Sequence, residues 1–537
     1  MVMDWIRSKL RVPGPESGHL LGQAENAYRE GALEQARRCC QAVLRHSQSN
    51  VRALSLLASI AADRREIDEG MQWAKRAMVA DPQAALPHYA MGRLWEAAGR
   101  YVEAESSYRT AVGFDPKHAK ARNNLGAVLH MQGKLDAALD CYRRALELDP
   151  ALPEANQNYA AIVRDPRAQE LAIQGYLRRT ATSPNDAVAF HNLASLYEQV
   201  GRYREALANF ERAIALDPHR AEAHFGKAQL LLLCGDYAEG WKEYEWRWRI
   251  DAFNSPARRF PQPMWNGENI DGTVLIHGET GLGDMLQFVR YAPLLARRCA
   301  AVAVECPPPL KSLVQGVGGV KHVVAQGETL PPFAAHVPLI RFPFIFGTTL
   351  DTIPWQGPYV GADPERIAEW RVLVETGDEA RLKVGLVWAG NPRHIADRQR
   401  SITLDALSPL AQATGVRFYS LQKGGPAREA GSAPAGMELV DLTARIRDFS
   451  DTAALVSRLD LVIAVDTAVA HLAGAMGVPV WVLLAYSPEW RNLLERSDNP
   501  WYPTMRLFRQ ERDGDWAGVI DRAARELLQR AGPIKAR

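Results

Sequence analysis

The feature that most constrains this chain is a period of 34 residues that runs through its first 254 positions. Steps of 34 residues reach a column of turn positions: Gly31, Arg65, Gly99, Gly133, Arg167, Gly201 and Gly235. Nine residues after each turn stands a second column: Cys40, Ala74, Tyr108, Tyr142, Tyr176, Phe210 and Tyr244. Both columns stay in phase without a gap, which is typical of a repeat array and not of an irregular globular domain. The sequence therefore predicts seven stacked copies of one structural unit over residues 17–254.

The copy at residues 133–150 indicates what this unit is. Gly133 permits a tight turn, because glycine tolerates backbone angles that other residues avoid. Ala138, Tyr142 and Ala145 then recur at spacings of three and four residues, which places them on one face of a helix that Pro150 ends. This pattern of paired helices resembles the tetratricopeptide repeat. The resemblance implies an all-α superhelix with a groove that binds a protein or peptide partner.

A third column consists of asparagines, one in each of three consecutive copies. Asn124, Asn158 and Asn192 each stand nine residues before a turn position. The column is similar to the asparagine ladder of the O-linked N-acetylglucosamine transferases. That similarity implies an acceptor-peptide groove, since an amide side chain offers both a donor and an acceptor to an extended backbone. In the alternative interpretation, each asparagine bonds locally within its own repeat.

Composition excludes several classes of protein. The 537 residues carry 64 basic and 62 acidic side chains, so no net field attracts nucleic acid or an anionic membrane. Six scattered cysteines without a CxxC pair favour reduced thiols over structural zinc. The sequence contains neither a signal-peptide core nor about 20 uninterrupted apolar residues, so we expect a cytoplasmic protein without a membrane span.

The second part of the chain changes from repeats to an α/β pattern. Short apolar strands that alternate with helices are predicted at Thr273–His277, Ala301–Glu305, Lys383–Trp388, Arg417–Leu421, Leu461–Val465 and Val480–Leu484. They favour two Rossmann-like halves that face a shared cleft. The predicted division is an N-terminal segment 1–16, repeats 17–254, a linker 255–272, a first half 273–360, an inter-half linker 361–382 and a second half 383–537. Trp241, Trp246 and Trp248, at the end of the repeats, are expected to pack against these halves, and the alternative is that they stack on a ligand.

A glycine-bearing loop follows the first predicted strand. Gly281 and Gly283 allow a close backbone approach, and Asp284 enters the helix that follows. The spacing of the glycines matches neither the phosphate loop of nucleoside triphosphatases nor the dinucleotide fingerprint, which disfavours hydride chemistry. Asp284 is a candidate base, and the alternative is an acid that merely favours the helix N-terminus.

Two further loops carry candidate donor-binding residues. Residues 388–401 hold a polar, mostly basic group on a Gly/Pro loop: Asn391, Arg393, His394, Arg398 and Arg400. Such a loop can gather cations around a diphosphate, and otherwise it is a solvated basic loop. The third loop places Asp466 and Thr467 at a strand end and His471 one turn later. Here the alternatives are a helix cap and a structural histidine.

Together these loops resemble the GT-B glycosyltransferases of family 9, the heptosyltransferase type. The likeness covers roughly residues 273–530 and rests on Gly283-Asp284 and on the Asp466-Thr467-x-x-x-His471 motif, in which Ala468 replaces a glycine. The resemblance implies that Asp284 is the general base and that Arg400 neutralises phosphate. It also implies that Asp466, Thr467 and His471 belong to the donor-sugar site.

The resemblance further implies a function. Segments 487–491 and 499–503 are similar to bacterial repeat-bearing transferases, some of which glycosylate flagellin. We therefore expect metal-independent, inverting transfer of a sugar from a nucleotide sugar to Ser or Thr of a protein held by the repeats. No cofactor beyond this co-substrate is expected. The alternatives are a scaffold with an inactive GT-B module and a heptosyltransferase that acts on a glycolipid or polysaccharide.

Overall fold

The computed structural model describes residues 15–149, 152–250, 260–278, 281–375, 381–392, 397–486 and 489–531. It divides the chain into two compact units, Met1–Pro218 and His219–Arg537. Within the described ranges, no helix combines the length and the apolarity that crossing a membrane requires.

The first unit is built from helices that pair in sequence order. Its helices in the described ranges are α1 Pro15–Arg29, α2 Leu33–His46, α3 Val51–Asp63, α4 Ile67–Ala80, α5 Ala85–Ala97, α6 Tyr101–Phe114, α7 Ala119–Met131, α8 Leu135–Leu148, α9 Pro153–Arg164, α10 Pro166–Thr182, α11 Ala187–Gln199 and α12 Tyr203–Leu216. The predicted all-α repeat fold is confirmed.

At all but one of the turn positions, the backbone adopts a left-handed conformation. Gly99 and its counterparts turn in the left-handed region, with φ of +73° at Gly99, and Arg65 adopts the same region at φ 60° without being glycine. Arg167 is the exception, because α10 already begins at Pro166 and Asp165 caps it by accepting the Arg167 amide at 2.9 Å. The predicted turn at Arg167 is therefore replaced by a proline-initiated helix start.

The second column forms the core of the array. Tyr108 and Tyr142 are fully buried, as are the other members of the column within the first unit. Each ring fills the space beside a glycine of the preceding helix, since a Cβ added at Gly92 or Gly126 would lie 2.6 Å from the ring. The spacing of the repeat is thus set by large rings that pack against small residues.

The second unit combines a helical pair with two sheets. Its helices in the described ranges are α13 Ala221–Leu233, α14 Tyr237–Tyr244, α15 Leu282–Phe288, α16 Ala292–Leu295, α17 Lys311–Gln315, α18 Phe342–Ile345, α19 Pro364–Val374, α20 Asp397–Arg400, α21 Phe449–Val456, α22 Ala468–Ala475 and α23 Trp516–Ala531. Its strands are β1 Ile270–His277, β2 Cys299–Cys306, β3 Val320–Ala325, β4 Ala335–Pro338, β5 Leu382–Val387, β6 Val416–Ser420, β7 Leu439–Asp441, β8 Leu461–Val465, β9 Val480–Leu484, β10 Asp498–Asn499 and β11 Tyr502–Arg509.

The two sheets confirm the predicted α/β class. The first has the order β3-β2-β1-β4 with every pair parallel. The second has the order β10-β11-β9-β8-β5-β6-β7, and only the short β10 runs antiparallel to its neighbour. All six predicted strands are present, whereas the sequence patterns missed β3, β4, β7, β10 and β11.

The helical pair α13–α14 packs on the α/β part of its own unit. The Trp241 ring lies 5.2 Å from Trp490, edge to face, and Tyr237 accepts a hydrogen bond from the Trp501 indole at 3.0 Å. The prediction that Trp241 packs against the α/β halves is confirmed. Trp246, in the turn that follows α14, stacks on His224 of α13 with the ring centres 3.8 Å apart.

Candidate functional site

In both sheets the strand order reverses at the strand that precedes a candidate segment. In the first sheet β1 lies between β2 and β4, and in the second β5 lies between β6 and β8. Ligands of open α/β sheets bind outside the carboxyl ends of strands at such switch points. Gly281, Gly283 and Asp284 stand at the start of α15, which follows β1. Arg400 lies in α20 after β5, and Asp466, Thr467 and His471 lie at the junction of β8 with α22. Topology therefore gathers the predicted residues at the binding edges of the two sheets.

Asp284 lies in the first turn of α15 with both carboxylate oxygens engaged. Oδ2 accepts the Gly281 amide at 3.1 Å, which closes the start of the helix. Oδ1 accepts a charge-assisted hydrogen bond from Nη2 of Arg491. The Asp284 side chain keeps 18% of its surface exposed, so a hydroxyl group can still approach it.

Gly283 brings the first half against the donor motif of the second half. A Cβ added there would lie 2.8 Å from Cδ2 of His471. Because such a contact is too close for any side chain, glycine is required at position 283. The loop after β1 and the helix after β8 thus meet at this residue.

His471 is held as a neutral ring. Its Nδ1 lies 3.0 Å from the Tyr502 hydroxyl. Burial lowers the pKa of His471 to about 4, and the positive charges of Arg491 and Arg290 act in the same direction, against the charge of Asp466. At neutral pH the ring therefore serves as a hydrogen-bonding group without charge.

Asp466 and Thr467 separate β8 from α22. Asp466 lines a small pocket together with His471, Glu489 and Arg491. Among the described residues, the buried Thr467 hydroxyl has no hydrogen-bond partner, and no side-chain cap joins it to the helix. Thr467 therefore occupies the N-cap position of α22, as one alternative predicted, but its side chain makes no hydrogen bond to the helix.

Arg491, Gln287 and Glu489 complete this cluster, and the sequence did not indicate their roles. Arg491 donates from Nε to Oε1 of Gln287 at 3.0 Å and pairs through Nη1 with Glu489. Burial raises the pKa of Glu489 to about 7, although the neighbouring Arg491 opposes this shift. The available signal was the segment 487–491, which the resemblance singled out without assigning a role to its arginine.

The basic loop after β5 is only partly described. Arg400 Nε lies 3.5 Å from Asp397 Oδ1, and both pack against Gly390, where a Cβ would lie 2.6 Å from that oxygen. Asn391 is exposed. Arg393 and His394 lie outside the described residues, as does the side chain of Arg398. The phosphate-binding role of this loop stays a prediction.

The asparagine column makes bonds between helices of the array. Asn124 donates to the Tyr108 hydroxyl at 3.3 Å, and Asn158 donates to Asn123 Oδ1 at 3.1 Å. Asn192 donates to the carboxylate of Asp140. Asn124 and Asn158 thus bond to the preceding repeat, and Asn192 bonds to a residue two repeats before its own, an arrangement that neither interpretation of the sequence included. Their contact with a peptide stays a prediction.

Protein-family models match the helical repeats and the α/β region separately. Tetratricopeptide repeat models match residues 21–85, 119–152 and 191–249. The model of glycosyltransferase family 9 (heptosyltransferase) matches residues 405–500. This stretch contains Asp466, His471 and Arg491 but does not reach Asp284.

A curated relative shares part of the chain. Protein FlbA of Caulobacter vibrioides is 28% identical over an alignment of 314 residues, which covers 53% of this chain and 52% of FlbA. The chain therefore spans about half the length of this relative.

Similar solved structures are helical repeat proteins that align with less than half of the chain. YrrB, titled a TPR protein with an unusual peptide-binding site, is 21% identical and covers 35% of this chain and 97% of its own, with a TM-score of 0.23. PilF of Pseudomonas aeruginosa is 19% identical and covers 40% and 96%, with a TM-score of 0.26. By its family matches, its two units and its sheets, the chain joins tetratricopeptide repeats to an α/β region of the glycosyltransferase family 9 type.

Proposed function

We propose that this protein is an inverting glycosyltransferase that moves a sugar from a nucleotide sugar to a Ser or Thr hydroxyl of a protein acceptor. Asp284 takes the proton of the acceptor hydroxyl as its oxygen bonds to the anomeric carbon. The bond from that carbon to the diphosphate breaks in the same step, and the nucleoside diphosphate leaves with the electron pair. Attack from the opposite face inverts the anomeric centre.

The observation that carries the proposal is the contact of Gly283 with His471. It sets the candidate base of the first half beside the family motif of the second half. A transferase of this kind needs a carboxylate at the acceptor hydroxyl and a polar donor site across the cleft. Asp284, Asp466 and the unpartnered Thr467 hydroxyl supply these groups.

We further propose that the leaving diphosphate is stabilised by the protein and not by a metal ion. Arg400 and the N-terminus of α22 both follow strands at the switch point of the second sheet, β5 and β8. Guanidinium groups and helix N-termini stabilise phosphate charge. The chain's one Asp-x-Asp pattern, Asp513 to Asp515, stands before α23, where Asp515 accepts the Gly518 amide at 3.0 Å as a helix cap.

The repeats support a protein as acceptor. Arrays of this type offer extended surfaces for peptides and proteins. Flagellin is one acceptor that the resemblance suggests. A glycolipid or polysaccharide acceptor would share the same chemistry at Asp284, so the product distinguishes the two classes.

The test uses the purified full chain and a panel of UDP-, GDP-, ADP- and CMP-sugars. The donor is the sugar nucleotide that raises the melting temperature, since a ligand of the folded state stabilises it. Labelled donor is then incubated with a cell extract, which is separated into protein and lipid fractions. We expect label in the protein fraction, and transfer that persists in a chelator.

Asp284→Asn tests the base. We expect donor binding to persist and the transfer rate to fall about 10²- to 10⁴-fold, because a positioned base contributes that much. Asp271→Asn, at an exposed position on β1, is the matched control and should keep full activity. Absence of donor binding across the panel, or an unimpaired Asp284→Asn variant, would refute the proposal. Label in the lipid fraction would refute only the acceptor class.

A further inference from the structure

Arg491 forms a bridge between the two halves of the α/β region. It belongs to the turn Trp490–Asn492 of the second half, while two of its partners, Asp284 and Gln287, belong to α15 of the first half. Its third partner, Glu489, accepts both its Nη1 group and its main-chain amide, the latter at 2.9 Å. One guanidinium therefore bonds to groups from both halves at the same time.

The guanidinium of Arg491 stacks on a buried cluster of tryptophan rings. Its central carbon lies 4.3 Å from the centre of the Trp490 ring. Trp490 is itself buried and lies edge to face with Trp241 at 5.2 Å and with Trp501 at 6.1 Å. Because stacking and three polar partners restrain the same planar group, Arg491 has little freedom to rotate.

This restraint passes to Asp284. Arg491 holds one oxygen of the Asp284 carboxylate, and the Gly281 amide holds the other. These two contacts, one on each oxygen, fix the plane of the carboxylate. The position of Arg491 therefore sets the direction that Asp284 presents to an acceptor hydroxyl.

We propose that Arg491 is the positioning residue for Asp284, and that its contacts across the two halves set the base in its reacting orientation. This inference rests on the proposed function, since it assigns Asp284 the role of base. Arg491 acts through Asp284 and does not itself take the proton. Helix α14, which belongs to the last repeat, restrains Trp490 because its Trp241 ring packs edge to face against Trp490.

The test compares Arg491→Met and Arg491→Lys with the wild-type full chain. The assay is nucleoside diphosphate release from the panel sugar that gives the highest wild-type turnover. We expect Arg491→Met to lower kcat about 10²-fold while KM for the donor changes less than about threefold, as when an interaction made only in the transition state is lost. Arg491→Lys keeps the charge and should recover part of kcat. Arg496→Met, an exposed arginine paired with Asp498, is the control and should behave as wild type.

A second measurement isolates the path through Asp284. In an Asp284→Asn background, Arg491→Met should cause no further loss, because residues that act as one unit are not additive. Equal effects in both backgrounds, a loss of donor affinity as large as the loss of kcat, or wild-type kcat in Arg491→Met would each overturn the inference. If Arg491→Met does not fold, as judged by its melting temperature, Arg491→Lys carries the same comparison.

The two proposals fail in different ways. A wild-type chain that releases no nucleoside diphosphate from any donor contradicts the proposed function. A wild-type chain that transfers, an Asp284→Asn variant that does not, and an unaffected Arg491→Met variant contradict only the role of Arg491.

Discussion

Glu198 in α11 is a carboxylate whose ionisation should destabilise the fold. Burial raises its pKa to about 7. The folded state then keeps a proton that the unfolded chain releases, so stability falls as pH rises from about 4.5 to 7. The difference from the ordinary value of 4.5 corresponds to at most about 3 kcal/mol. We expect Glu198→Gln to leave the free energy of unfolding unchanged at pH 4 and to raise it by up to about 3 kcal/mol at pH 8, as measured by urea unfolding with circular dichroism.

The repeat offers a matched experiment, because in an earlier copy the glutamate equivalent to Glu198 accepts a hydrogen bond. Glu96 accepts the hydroxyl of Tyr108, 12 residues later, at 2.6 Å. The same spacing joins Glu198 to Phe210, which has no hydroxyl. Phe210→Tyr should therefore add about 1.5–3 kcal/mol at pH 8, the value of a hydrogen bond to a charged group, and less at pH 4.

The control is Tyr142→Phe. The Tyr142 hydroxyl is buried without a partner among the described residues, so its removal should not lower stability and should have the same effect at both pH values. If Glu198→Gln has the same effect at pH 4 and pH 8, Glu198 does not titrate as described and the reasoning is refuted. The same holds if Phe210→Tyr gives no gain at pH 8 while the effect of the control is independent of pH.

Two further predictions concern backbone strain and a buried hydrogen bond. Arg65→Gly should raise the free energy of unfolding by about 1 kcal/mol, because a left-handed backbone at φ 60° strains any residue except glycine. Thermal unfolding measures this gain, and Gly99→Ala should shift the midpoint in the opposite direction; a destabilised Arg65→Gly variant would contradict the assignment. Tyr237→Phe should lower stability by about 1–3 kcal/mol, because the buried Trp501 indole loses its acceptor. An unchanged midpoint for Tyr237→Phe would mean that this hydrogen bond contributes nothing.

The repeat array could be predicted from the sequence because its causes are local. The turn at Gly133 and the packing of Tyr142 involve residues within one 34-residue period. The prediction was wrong at Arg167, where Pro166 starts a helix and removes the need for a left-handed turn. The proline at position 166 thus decided the local structure, and the 34-residue period did not predict it.

The site could be predicted only as separate loops. The residues around Gly283 and Asp466 stand directly after apolar strands, and parallel topology brings such positions to one edge. The partnership of Asp284 with Arg491 joins residues 207 positions apart. It depends on how one half packs on the other and on the tryptophans beneath Arg491. No periodicity within a single segment carries that information.

The helical pair α13–α14 has the sequence of a repeat but packs on the α/β region. Repeat arrays lengthen and shorten by duplication and loss of whole copies, and each copy contacts mainly its neighbours. Copies can be exchanged only up to α13, since removing the pair α13–α14 would remove Trp241 and Tyr237 from their contacts with Trp490 and Trp501. A chimera that exchanges the array should therefore be joined between Leu216 and Ala221, where α12 ends and α13 begins. The last repeat therefore belongs with the α/β region, and only the copies before it are exchangeable.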